Sequence, residues 1–211
     1  MTRSRLLSAA LIVAVAVPAA MQAQAGRRGD VVDAGTASDK QLLSVPGLTP
    51  PLVKAIVERR PFLTMTDLDT LLAQPLSREQ RTDLYRRLFL QINLNTASDA
   101  EILLIPGLAP PMLGELKEYR PYRTLAQFRR ELGKHVDAKE LERLEQYVFV
   151  PINLNTASDA DILSIPGMGR RMLAEFKEYR PYTAMQQFRR EIGKYVDGKE
   201  VVRLERYVTL N

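Results

Sequence analysis

The chain contains no cysteine. No disulfide can brace it, so the fold must rest on apolar burial, and thiol nucleophiles and cysteine-type zinc sites are excluded. It has a single histidine, His135, and Tyr195 stands at the equivalent position sixty residues on. A metal or catalytic role needs partners that this histidine lacks in the sequence, so it reads as a surface residue. There is no nucleophile–base pair, glycine-rich phosphate loop or metal-ligand cluster. We therefore expect no catalytic residue, no metal, no cofactor and no small-molecule substrate, and an enzyme is not indicated. No stretch alternates apolar and polar residues with the period of a half-buried strand.

What is present starts with the N-terminus. Arg3 and Arg5 precede an apolar run from Leu6 to Ala20, and Ala23-Gln24-Ala25 offers a small-residue cleavage site. The run is broken by Pro18 and is short for a membrane span. Residues 1–25 are thus expected to be a signal peptide and the mature protein to be exported, to the periplasm or beyond the cell. An uncleaved N-terminal membrane anchor is the alternative. Without Arg3 and Arg5, 28 basic residues face 25 acidic ones, a formal charge of +3. That is mildly basic and well short of a chain coated for nucleic acid.

Internal repetition dominates the rest. Thr-Ala-Ser-Asp recurs at Thr36, Thr96 and Thr156, Pro-Gly at Pro46, Pro106 and Pro166, and Arg-Pro at Arg60, Arg120 and Arg180. Residues 92–151 and 152–211 are close copies. Residues 31–91 are a degenerate one, with "DAGTAS" where the others read "NLNTAS". Residues 26–30 read as a short exposed leader. Each copy carries start and stop signals for about four short helices. Ser38-x-x-Gln41, Ser98-x-x-Glu101 and Ser158-x-x-Asp161 are capping boxes. Thr124-x-x-Gln127, Thr183-x-x-Gln186, Asp137 and Asp197 offer further caps, and Arg120-Pro121 and Arg180-Pro181 end helices. Apolar residues at helical spacing (Leu113, Leu116 and Tyr119; Leu141, Leu144 and Val148) support the same reading. The expected fold is all-α, with three tandem bundles of about sixty residues each.

An apolar helix end, then Pro-Gly-apolar-Gly, then a helix that begins with basic residues is the pattern of a helix-hairpin-helix. The stretch "INLNTASDADILSIPGMGRRMLAEFKEYRPY" resembles the helix-hairpin-helix repeat of the competence DNA-receptor family (ComEA-like proteins), and the resemblance spans all three copies. It implies binding of double-stranded DNA without sequence preference, outside the cytoplasmic membrane, during DNA uptake.

The residues themselves point to the same chemistry. Gly167 and Gly169 let the backbone turn tightly and approach another surface. The N–H groups of Gly169, Arg170 and Arg171 then open a helix, where donors lack internal partners and the dipole favours an anion. Arginine adds charge and bidentate phosphate geometry. Gly167, Met168, Gly169, Arg170 and Arg171 are therefore the candidate nucleic-acid-binding residues, holding phosphate and reading no base. The other copies place Thr49-Pro50-Pro51 and Ala109-Pro110-Pro111 there. Proline suits a helix start but has no N–H to donate, so these two hairpins are expected to serve structure alone. The alternative reading is an envelope scaffold with protein partners, in a secretion or pilus-like assembly, for which the near-balanced charge and the two Pro-Pro hairpins speak. The pairs Arg129-Arg130 and Arg189-Arg190 are expected to pair with nearby glutamates. Tyr119, Tyr122, Tyr179 and Tyr182 are expected to close small cores.

Overall fold

A computed structural model describes residues 29–211, so the expected signal peptide lies outside the described residues. The described part is mostly helical, and the same order of elements occurs three times. Unit 1 comprises β1 (Val32–Asp33), α1 (Asp39–Leu43), α2 (Pro50–Arg59), α3 (Met65–Leu72), α4 (Arg78–Leu84) and β2 (Leu88–Phe89). Unit 2 comprises β3 (Ile92–Asn93), α5 (Asp99–Ile102), α6 (Pro110–Glu118), α7 (Leu125–Leu132), α8 (Ala138–Glu145) and β4 (Val148–Phe149). Unit 3 comprises β5 (Ile152–Asn153), α9 (Asp159–Ser164), α10 (Arg170–Glu178), α11 (Met185–Ile192), α12 (Gly198–Glu205) and β6 (Val208–Thr209). Gly29 and Asp30 are exposed ahead of unit 1. Among the described residues no helix is long and apolar enough to cross a membrane.

The strands correct the expectation of a sheet-free chain. Each unit is closed by a parallel pair between its first and last residues, with Val32 against Leu88, Ile92 against Val148 and Ile152 against Val208. Parallel pairing needs a long crossover, and the four intervening helices supply it. Strands of two residues are too short to leave an alternation in the sequence.

Side-chain caps fix most helix starts. Ser38, Ser98 and Ser158 each accept from the backbone N–H three residues on, and the side chains of Gln41, Glu101 and Asp161 close the box. Thr124, Asp137 and Asp197 cap α7, α8 and α12. The Thr183 cap is a correction: the N-cap of α11 is Ala184, which makes no side-chain bond. Thr183 lies one residue too early, where its N–H donates to Gln187 Oε1 at 2.9 Å. Ala184 holds the place of Thr64 and Thr124, which do cap their helices.

Units 1 and 2 share one apolar core, while Phe149 joins the core of unit 3. The junctions use one device twice. The Phe89 ring, at the end of unit 1, meets Tyr147 of unit 2 edge-on at 5.0 Å. The Phe149 ring, at the end of unit 2, meets Tyr207 of unit 3 at 4.5 Å. Unit 3 has Thr209 at this position, a polar residue in place of the aromatic. Glu101 of α5 also accepts from the Met65 N–H of α3 at 3.0 Å, so a capping carboxylate of unit 2 serves a helix start of unit 1.

Phe149→Ala should therefore cost about 3–5 kcal/mol of unfolding free energy, the range for a buried phenylalanine. Thr209→Ala should stay within about 1 kcal/mol. Denaturant unfolding of the two variants checks this; equal losses would show that the junction does not depend on the ring.

Candidate nucleic-acid interface

The three Pro-Gly turns share one backbone. Gly47, Gly107 and Gly167 have φ of 91°, 72° and 77°, the left-handed region that glycine enters freely. In each turn the following residue donates back: Leu48 to the Val45 carbonyl, Leu108 to that of Ile105 and Met168 to that of Ile165. The sequences of the turns part at the start of the next helix. Thr49 and Ala109 precede two prolines, and neither makes a side-chain cap. Gly169 precedes Arg170 and Arg171, also without a side-chain cap. The N–H groups of Gly169, Arg170 and Arg171 meet no acceptor among the described residues, and all three residues are exposed.

The second glycine has no internal reason to be one. Gly169 sits at φ −111°, ordinary for any residue, and a methyl added there would meet nothing within 4 Å. Ala109 fills the same place in unit 2. A glycine that neither backbone nor packing requires leaves the helix start open to close approach from outside.

Charge supports the same corner. Unit 3 has ten basic residues, and seven are engaged. Lys177 pairs with Asp159, Arg189 with Glu205, Arg190 and Lys194 with Glu191, and Arg203 with Glu200. Arg180 donates to the Leu154 and Ala157 carbonyls and Arg206 to that of Gln91. Arg170, Arg171 and Lys199 make no such contact among the described residues. Hydrogen bonds from Lys194 and Arg190 hold the Glu191 carboxyl below its ordinary range, and Lys134 and Arg130 do the same for Glu131. These arginines are thus occupied, as their sequence context suggested.

The remaining candidates fall on either side of this corner. The Met168 side chain packs on the unit 3 core, and its N–H is already bonded. It anchors the turn and offers no contact. Gly167 faces unit 1: a methyl there would lie 3.4 Å from Thr36 Cγ2, in a cleft also lined by Asp30 and Asp33. Gly167 thus lies beside unit 1, and the donors open to an outside anion narrow to Gly169, Arg170 and Arg171. Repetition hid this cleft, because a contact between units leaves no trace in the pattern of one unit.

Tyr122 and Tyr182 are buried, and burial pushes the Tyr182 hydroxyl up to about 12, so both rings close cores as neutral groups. His135 Nε2 lies 3.1 Å from Tyr119 Oη and 3.1 Å from Glu115 Oε2, and in unit 3 Tyr179 and Tyr195 join their hydroxyls at 2.7 Å instead. Among the described residues no group of three or more metal-ligating side chains converges. Sequence reasoning passed over Arg86 and Arg87. Both are exposed, and they line clefts beside Pro46–Gly47 and Pro106–Gly107, where their counterparts are Gln146–Tyr147 and Arg206–Tyr207.

No family model, curated protein or solved structure matches this chain.

Two variants separate donors from fold. Gly169→Ala should change stability by no more than about 1 kcal/mol, since Ala109 occupies this position in unit 2. Arg170→Pro/Arg171→Pro gives unit 3 the helix start of its neighbours and should also fold, because proline fits the first turn. Circular dichroism and thermal unfolding check both; loss of helix in either would mean that this start is structural.

Proposed function

We propose that the protein is an exported DNA-binding protein, built from three tandem helix-hairpin-helix bundles, that holds double-stranded DNA by its phosphates and without sequence preference. DNA uptake is the process the sequence resemblance suggests. One observation carries the reading. Of three equivalent helix starts, only that of α10 keeps all three N–H groups, leaves them open, and adds two exposed arginines with no acceptor among the described residues. A phosphate oxygen there would accept from the N–H groups of Gly169, Arg170 and Arg171 while the guanidinium groups supply charge. Such contacts position a duplex and read no base edges.

A second reading has its own support. Leu43, Leu103 and Leu163 occupy the same place in the three units and are 49%, 52% and 40% exposed. Three equivalent exposed leucines suit an envelope scaffold that meets protein partners, independently of DNA.

The deciding experiment is a titration of residues 26–211 with random-sequence duplex DNA, followed by fluorescence anisotropy at several salt concentrations. With three phosphate contacts, affinity should fall roughly forty-fold between about 50 and 200 mM salt. Arg170→Glu/Arg171→Glu should weaken binding by at least about tenfold and flatten the salt dependence by about two charges. Binding unaffected by salt or by that double substitution would contradict the DNA reading. No binding, together with a specific partner captured from envelope extract, would favour the scaffold.

A further inference from the structure

Unit 1 departs from its copies at position 33, where Asp33 stands in place of Asn93 and Asn153. Locally the three side chains do the same work. Asp33 Oδ1 accepts from the Gly35 N–H at 2.9 Å and from Thr36 Oγ1 at 2.9 Å. Asn93 Oδ1 accepts from the Asn95 N–H at 2.9 Å, and Asn153 Oδ1 from the Asn155 N–H at 2.9 Å. An amide oxygen is enough for this turn, so the turn does not explain a carboxylate. Asp33 is only 8% exposed, and its Oδ2 is buried with no hydrogen-bond partner. A buried carboxylate is costly unless a counter-charge stands near.

Unit 3 supplies one. A methyl at Gly167 would meet Thr36 Cγ2 and Arg203 Nη2 at the same 3.4 Å, so the third hairpin, the Asp33–Thr36 turn and this guanidinium come together. Arg203 is 6% exposed. Glu200 takes its Nε at 2.7 Å and its Nη2 at 2.6 Å, while Nη1 is buried and unbonded. Its counterpart in unit 2, Arg143, spends Nη1 on its own hairpin, donating to the Pro106 carbonyl at 2.5 Å. On the other side of the turn, Arg60 donates to the Ala34 and Ala37 carbonyls at 2.9 and 2.8 Å. Burial pushes the Arg60 guanidinium down, Asp33 counteracts this, and Arg203 is near enough to add to the lowering. The turn that carries the carboxylate therefore lies in the field of two guanidinium groups, one from its own unit and one from unit 3.

We propose that Asp33 is the counter-charge that fastens unit 1 to the third hairpin through Arg203, so that the first and third units close on each other. Unit 1 is then degenerate for a reason: its turn is built to receive Arg203 and its neighbour Gly167. The closure sets unit 1 beside Gly167 and leaves the start of α10 facing outward. It stands whether or not the chain binds DNA.

The test is amide hydrogen exchange on residues 26–211, read at the Thr36, Ala37 and Met168 N–H groups, each of which is hydrogen-bonded. Asp33→Asn keeps the turn chemistry of units 2 and 3 and removes only the charge. It should speed exchange at least about tenfold in both segments, including Met168 in a different unit, while amides of α7 and α8 stay as in the wild type. Arg203→Gln should do the same, and the double variant should exchange no faster than the faster single one. Wild-type exchange at Met168 in Asp33→Asn would overturn the proposal, as would additive effects in the double variant. Duplex titrations of the same proteins keep a failure of this closure distinct from a failure of DNA binding.

Discussion

Every α-helix opens with N–H groups that its own backbone cannot bond. A chain of short helices meets that constraint again and again, and much of this sequence answers it. Serine, threonine and aspartate side chains cap one set of starts. Paired prolines remove the donors at Pro50–Pro51 and Pro110–Pro111. Glu101 reaches across a junction to a start in the preceding unit. Against this background the start of α10 stands out: Gly169, Arg170 and Arg171 keep their donors and face outward. The α11 start at Ala184 also has no side-chain cap, but it is half-buried and carries no free arginine.

The same economy governs how units meet. A unit of about sixty residues buries a marginal core alone, and Phe89 and Phe149 each extend the core of one unit to the next. In unit 3 the aromatic gives way to Thr209. In unit 1 the neutral asparagine of the turn gives way to Asp33, the residue proposed above as the counter-charge to Arg203. Near-identical sequences thus serve different positions through a few substitutions at their edges.

Much of this was legible in the sequence because it is local. The capping boxes at Ser38, Ser98 and Ser158, the Pro-Gly turns and the proline-filled helix starts all act within a few residues, and each leaves a fixed spacing. The strands were not legible, since a pair such as Val32–Asp33 and Leu88–Phe89 has no period to detect. Thr183 misled because Thr-x-x-Gln reads as a cap in either of two adjacent registers, and the backbone chose the one that Thr64 and Thr124 share. The approach of Thr36 to Gly167, and hence the narrowing of the candidate site to Gly169, Arg170 and Arg171, arises between units, where no repeat pattern records it.

Under the proposed function, the three open backbone donors at the start of α10 bind an outside anion. Backbone NMR of residues 26–211, titrated with a short random-sequence duplex at low salt, tests it most directly. The amide resonances of Gly169, Arg170 and Arg171 should move first and furthest, while those of Leu48, Leu52, Leu108 and Met112, around the proline-filled starts, stay in place. Resonances that shift elsewhere and leave these three unmoved, or that do not shift at all, would contradict it.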